Sequence, residues 1–263
     1  MTLAIHSSGD GPNLSLVHGW GLGSAALDNL ALALGEHFTV NRVDLPGYGD
    51  SPMIESNTLE AVADELAATL PPRAMLCGWS LGAMICLACA ARHPRLVARV
   101  VLIGATASFV QRDDWLEALP TEQVESFRSD LHEDSVQLLK RFASLMHLGA
   151  KFPLDAQRFL LSEQSIEQPP ASDAALSASL DLLTQSDLRT MLGDIQQPVL
   201  LVHGDADRLM PLPAAERLLM ALLNAQLDVY TGSAHAPFAS EPARFVDSVR
   251  RFAGLSDEPG DEI

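Results

Sequence analysis

The pentapeptide Gly78-Trp79-Ser80-Leu81-Gly82 joins an unbroken apolar run, Ala74 to Trp79, to an alanine-rich apolar run, Leu81 to Arg92, that stops just before Pro94. The first run has the length of a buried strand and the second that of a helix, and the residue before a proline disfavours helical geometry. A serine at such a junction, flanked by glycines that permit a sharp turn, holds its hydroxyl exposed above a sheet. That context marks Ser80 as a candidate nucleophile rather than a structural Gly-Ser turn. It also commits the chain to a fold in which strands and helices alternate.

The remaining periodicity agrees. Leu14 to Val17 reads as a buried strand that stops at His18-Gly19-Trp20-Gly21, and Phe38 to Val43 as a second that stops at Asp44-Leu45-Pro46-Gly47-Tyr48-Gly49. Leu59, Val62, Ala63, Leu66 and Leu70 share one helical face, closed by Pro71-Pro72. Strands are expected at Val97 to Gly104, Val199 to His203 and Leu227 to Tyr230, with helices at Ala214 to Leu223 and Pro242 to Phe252. The expected class is α/β: a mostly parallel sheet with helices on both faces. From Gln111 to Leu192 only amphipathic helical spacing appears, as in Val136, Leu139, Lys140, Phe142, Ala143 and Met146. We therefore expect a core formed by 1–110 and 193–255, with a helical cap at 111–192 over the strand ends, where open α/β sheets bind ligands. The acidic composition of 256–263 predicts a disordered tail.

A serine hydroxyl is hardly ionised at neutral pH and needs a base. His235 follows a strand, stands in the turn-rich Thr231-Gly232-Ser233-Ala234-His235-Ala236-Pro237 and precedes the last helix. His203, at a strand end, is the rival; His18 is expected to shape the turn after its strand, while His6, His37, His93, His132 and His147 read as surface or cap residues. The base needs an acid to fix its tautomer, and His203-Gly204-Asp205-Ala206-Asp207-Arg208 offers two. Asp207 stands three residues after the strand-ending glycine, the usual place in such a sheet, whereas Asp205 suits a turn cap. For oxyanion donors, the N–H of Leu81 opens the helix after Ser80 and the Trp20 N–H lies in the first turn. The Trp20 indole is then expected to wall an acyl pocket.

Charge and cysteine content narrow the partners. With 17 basic and 34 acidic residues the chain carries a formal charge of −17, which argues against nucleic acid and anionic membrane. No run reaches the roughly 20 apolar residues of a membrane span, and the start carries no export signal, so a cytoplasmic monomer is the expectation. Cys77, Cys86 and Cys89 crowd one apolar stretch, and the C-x-x-C has no second pair to complete a zinc set, so packing is expected and no metal.

These residues resemble the α/β-hydrolases along nearly the whole chain. Within them, His18-Gly19-Trp20-Gly21, Gly78-Trp79-Ser80-Leu81-Gly82, Arg112-Asp113-Asp114-Trp115, Ser186-Asp187-Leu188-Arg189 and Ala234-His235-Ala236-Pro237-Phe238 resemble the esterases that remove the methyl ester of pimeloyl-acyl-carrier protein in biotin synthesis. The resemblance implies a Ser80-Asp207-His235 triad, an acyl-enzyme on Ser80 and no cofactor. It implies an acyl chain near Trp20, Ser80, Leu81 and the stretch Phe142, Ala143, Ser144, Leu145 and Met146. A carrier-protein partner is acidic, and residues 136–160 hold Lys140, Arg141, Lys151 and Arg158 against Asp155 alone, which suggests a docking patch. Fold does not decide substrate. A carbon–carbon bond hydrolase or synthase, a generic short-chain carboxylesterase and a non-catalytic ligand-binding protein remain the alternatives.

Overall fold

The structure is a computed structural model that describes residues 2–151, 156 and 171–255. Seven strands form one sheet: β1 (Ile5–Ser8), β2 (Asn13–Val17), β3 (Thr39–Val43), β4 (Ala74–Trp79), β5 (Val97–Ile103), β6 (Val199–Gly204) and β7 (Ala225–Tyr230). Their order is β1-β3-β2-β4-β5-β6-β7. Only β1 runs antiparallel to its neighbour. β1 was not among the expected strands, and the reason is visible in Ile5-His6-Ser7-Ser8: an edge strand of four largely exposed residues has no apolar run to reveal it. Because β2 to β7 are parallel, the turns after them all open at one edge of the sheet, and that edge collects His18, Asp44, Ser80, Gly104, Asp207 and His235.

The core helices are α1 (Asp28–Leu34), α2 (Leu59–Thr69), α3 (Leu81–Arg92), α7 (Leu212–Ala221) and α8 (Pro242–Ala253). Helix α3 is buried from Leu81 through Ala90, which is why its sequence is apolar on every side rather than amphipathic. It lies so close to β2 that a Cβ on Gly82 would stand 2.3 Å from the Val17 carbonyl oxygen. All three cysteines are free and buried, with Cys86 and Cys89 on this helix. Burial pushes the Cys89 thiol up to about 12 and Cys77 and Cys86 higher still, so they fill space as thiols.

Between β5 and β6 the described residues include the α-helices α4 (Thr121–Glu133), α5 (Ser135–Leu145) and α6 (Asp173–Gln185), a 3-10 helix (Arg189–Asp194), and no strand beyond isolated bridges. Side chains on Asp134 and Ser172 cap α5 and α6. The two charged motifs singled out in the sequence meet where this insertion leaves and rejoins the sheet. Arg112 lies 3.5 Å from Asp187 and donates to the carbonyls of Gln185 and Ser186, while Arg189 pairs with both Asp114 and Asp187. Single pairs at this exposure contribute little, but the shared partners make a network that fixes the stem. The acidic tail, 256–263, lies outside the described residues.

Candidate active site

Ser80 occupies the turn between β4 and α3 with φ 58° and ψ −118°, a left-handed conformation that a non-glycine residue adopts only where its surroundings enforce it. Its N–H donates to the Ile103 carbonyl at 2.9 Å, and a Cβ on Gly78 would fall 2.3 Å from the Gly82 carbonyl oxygen. The pentapeptide's two glycines thus let the strand fold straight back into the helix, and Ser80 stands at the apex with only 3% of its surface exposed.

The structure brings His235 and Asp207 together. His235 Nδ1 lies 2.7 Å from Asp207 Oδ2, both residues buried. The other carboxylate oxygen accepts the N–H groups of Leu209 and Met210, each at 2.9 Å. Burial works against the Asp207 charge, yet the facing His235 and the hydrogen bonds outweigh it, and the carboxyl titrates below the usual range. An ionised acceptor fixes the hydrogen of His235 on Nδ1 and leaves Nε2 able to take a proton. Ile103 and Gly104 link His235 to Ser80: Ile103 bonds the Ser80 N–H, and a Cβ on Gly104 would stand 3.0 Å from the His235 ring. The Trp79 indole donates to the His235 carbonyl at 2.9 Å, so the residue before Ser80 anchors the loop of His235.

The two rivals have other work. Asp205 is exposed and accepts the Gly232 N–H at 2.7 Å, a turn-capping contact. His203 donates from Nε2 to the Met210 carbonyl at 2.6 Å and lies 3.6 Å from Asp207. It supports the acid loop.

The turn after β2 lies over the serine: a Cβ on Gly19 would meet Ser80 Cβ at 3.1 Å. His18 fixes this turn. Its Nδ1 donates to the Gly19 carbonyl at 2.8 Å, and its Nε2 accepts the Leu45 N–H at 3.1 Å. One nitrogen donating and the other accepting require a neutral ring, and burial holds its pKa near 4. The Tyr48 hydroxyl, accepting the Gly21 N–H at 3.1 Å and lying 2.8 Å from Ser179 Oγ, ties the same turn to α6. The Trp20 indole donates to the Leu176 carbonyl at 2.9 Å and meets Phe142 edge-on at 4.8 Å. Leu81 opens α3, where the first N–H groups have no intrahelical acceptor and the helix dipole favours negative charge.

The stretch Phe142 to Met146 is divided by its own helical period. Phe142 and Met146 are buried, Ala143 and Leu145 partly so, and Ser144 is exposed with its hydroxyl bonded to the Lys140 carbonyl at 2.9 Å. Five consecutive helical residues cannot all face one pocket. Of the basic residues, Lys140 and Arg141 are exposed on α5, and Arg141 pairs with Asp130. Lys151 is exposed and its side chain lies over Gly232. Arg158 lies outside the described residues.

His147 lies in the cap span and is not a surface residue: it is 6% exposed, beside the loop of His235, where the His235 N–H donates to the Met146 carbonyl at 3.1 Å. Burial, and secondarily His235, holds its pKa near 4. The sequence shows it only as a polar residue after an amphipathic helix, and nothing local announces its burial. Among the described residues the one set of three with metal-ligand spacing is His6, Asp44 and Asp50, whose ligand atoms lie within 4.8 Å of one another. Asp44 there already accepts from His6 at 3.0 Å and from the Asp50 N–H at 3.1 Å.

The α/β hydrolase fold family matches residues 12–242. The pimeloyl-[acyl-carrier protein] methyl ester esterase of Aromatoleum aromaticum is 41% identical over 242 residues, 88% of this chain and 94% of that protein. The enzyme of that name from Nitrosomonas europaea is 35% identical over 247 residues, 93% and 97% of the two chains. Among solved structures, an esterase from Exiguobacterium antarcticum superposes with a TM-score of 0.85 at 24% identity, covering 96% of this chain and 95% of that one, a likeness of fold. The chain belongs to the α/β-hydrolase family, and within it to the family of these methyl ester esterases, as a hydrolase of carboxylic esters.

Proposed function

We propose that this protein hydrolyses the methyl ester of pimeloyl-acyl-carrier protein, with Ser80 as nucleophile, His235 as general base and Asp207 as its orienting acid. The observation that carries the reading is the buried 2.7 Å contact between His235 and Asp207, on the same sheet edge as a serine held at φ 58°. In this mechanism Ser80 Oγ attacks the ester carbonyl while its proton passes to His235 Nε2. The N–H groups of Trp20 and Leu81 receive the oxyanion. The proton then leaves with methanol, and water hydrolyses the acyl-Ser80 ester to the free carboxylate with His235 again as base. The substrate comes from the names of the relatives, which are 35% and 41% identical over most of the chain.

The carrier would dock on the cap, 111–192, through Lys140, Arg141, Lys151 and Arg158. Long-range repulsion from the remaining negative charge is screened beyond about 8 Å at physiological salt, so a local basic patch can still attract an acidic partner. Lys140 and Lys151, the chain's only lysines, are both exposed. Incubation with the pimeloyl-carrier methyl ester tests the substrate: the expected product is lighter by one methylene, and an unchanged mass with active enzyme refutes it. Reversing Lys140, Arg141 and Arg158 to Glu together tests the patch. A loss of kcat/KM confined to the carrier-bound ester, steeper at low salt, is expected; equal loss on a small soluble ester, or none on either, removes the patch from the mechanism.

A further inference from the structure

Two backbone hydrogen bonds tie the segment after α5 to the loop that carries His235: the His235 N–H donates to the Met146 carbonyl at 3.1 Å, and the Lys151 N–H to the Gly232 carbonyl at 2.7 Å. His147 stands between these two ties and is buried. Its Nε2 is buried without a hydrogen-bond partner among the described residues, and so is Nε2 of His235. Such atoms in native proteins are satisfied by water or a ligand, because a buried group left unpaired costs about 1–3 kcal/mol. His18, by contrast, engages both of its ring nitrogens with the backbone.

A water molecule is held firmly in a buried site when it finds two or more polar partners there. We propose that His147 is a positioning residue for the hydrolytic half of the reaction, its Nε2 and that of His235 together holding the water that attacks the acyl-Ser80 ester. The inference rests on Ser80 forming that ester. In the step itself, the water oxygen bonds to the ester carbonyl carbon and its proton passes to His235 Nε2. The tetrahedral intermediate then collapses, Ser80 Oγ leaves and takes the proton back, and the free acid departs. His147 neither gains nor loses a proton; it fixes the position of the attacking oxygen. With its pKa near 4 it is neutral at neutral pH, so it adds no positive charge against the imidazolium that forms on His235. Acylation, in which Ser80 Oγ is the attacking atom, needs no such water and is independent of His147.

That asymmetry supplies the test. Acylation and deacylation are measured separately with p-nitrophenyl butyrate by rapid quench, with mass spectrometry of the Ser80 adduct. His147→Phe retains a ring of similar size and removes the nitrogen. Its acylation should stay close to the wild-type rate, while deacylation slows by roughly tenfold or more, the scale of one hydrogen bond to a group developing charge, and the adduct accumulates. Hydroxylamine, an added nucleophile that needs no positioned water, should discharge that adduct as fast as in the wild type. His147→Gln, which keeps a hydrogen-bonding end, should recover part of the deacylation rate. If His147→Phe fails to fold, His147→Leu with the same two rates replaces it. Acylation and deacylation that fall together, or deacylation unchanged in a folded variant, overturn the proposal and leave the triad standing. A wild-type protein that forms no Ser80 adduct overturns the triad reading and this proposal with it.

Discussion

Exchanging Asp207 for asparagine isolates the electrostatic part of the triad, because the two side chains have nearly the same shape. One Asp207 oxygen accepts the Leu209 and Met210 N–H groups, both at 2.9 Å, and the other faces His235 Nδ1 at 2.7 Å. In Asp207→Asn the amide oxygen must stay with the two N–H groups, since turning it would set amide hydrogens against two buried donors at about 1–3 kcal/mol each. The amide nitrogen therefore faces Nδ1, which must become an acceptor, and the ring hydrogen moves to Nε2. A protonated Nε2 cannot take the Ser80 proton. The expected loss in kcat is about ten-thousandfold, or about 5 kcal/mol of transition-state stabilisation at 1.36 kcal/mol per tenfold. Asp205 is the control. Its oxygen accepts the Gly232 N–H at 2.7 Å on the exposed side of the loop, and Asp205→Asn preserves that oxygen, so its activity should stay within about threefold, the scale of an ordinary surface change. Steady-state hydrolysis of p-nitrophenyl acetate, with circular dichroism to confirm folding, measures both. An Asp207→Asn enzyme that keeps more than a tenth of its activity, or an Asp205→Asn enzyme that loses more than Asp207→Asn, refutes this assignment of the acid.

Ser80→Ala and His235→Ala should each lower kcat by something on the order of a million-fold, as for groups that act as one unit, and labelling with a fluorophosphonate should disappear in Ser80→Ala; retained labelling would move the nucleophile elsewhere. His18 and His147 both have folded pKa values near 4, below the usual 6.5. The unfolded chain therefore binds more protons between these values, and stability that is complete above pH 6.5 falls as pH drops toward 4, by about 3 kcal/mol for each group. Urea unfolding at pH 7 and pH 5 measures this, and equal midpoints would contradict the burial of neutral rings. Trp20→Phe removes the indole bond to the Leu176 carbonyl, 2.9 Å long, and should cost about 1 kcal/mol. Trp20→Ala also loses the packing on Phe142 and should cost about 3–5 kcal/mol, read from the same unfolding curves.

Much of this molecule is written locally. Strands that are buried on both faces, such as Ala74–Trp79, and a helix buried all round, Leu81–Arg92, follow from continuous apolar runs with turn residues at their ends. Ser80 was legible for the same reason, since its backbone conformation is imposed by its own glycines and the run on either side. The preference for Asp207 over Asp205 as the candidate acid rested on its distance from the end of its strand, and the structure sets Asp207 Oδ2 2.7 Å from His235 Nδ1. The runs, the turn and that spacing are short-range facts, and short-range sequence carries them.

What the tertiary structure decided involves groups far apart in sequence. The pairing of Arg112 and Arg189 with Asp187 and Asp114, the contact of Trp20 with Leu176 and the hydrogen bond from Trp79 to His235 join segments separated by about 75 to 156 residues. None leaves a periodic trace, because each depends on which loops the parallel sheet delivers to a common edge. β1 was invisible because an exposed edge strand needs no apolar pattern, only a neighbour with free backbone groups. The burial of His147 was invisible for a different reason: the segment that holds it is tied by backbone hydrogen bonds to the distant loop of His235, and a polar residue carries no sign of such a neighbour. Sequence alone set the buried strands, the apolar helix α3 and the turn that carries Ser80, whereas burial, protonation and the contact between the cap segment and the loop of His235 arise only when distant segments exclude water together.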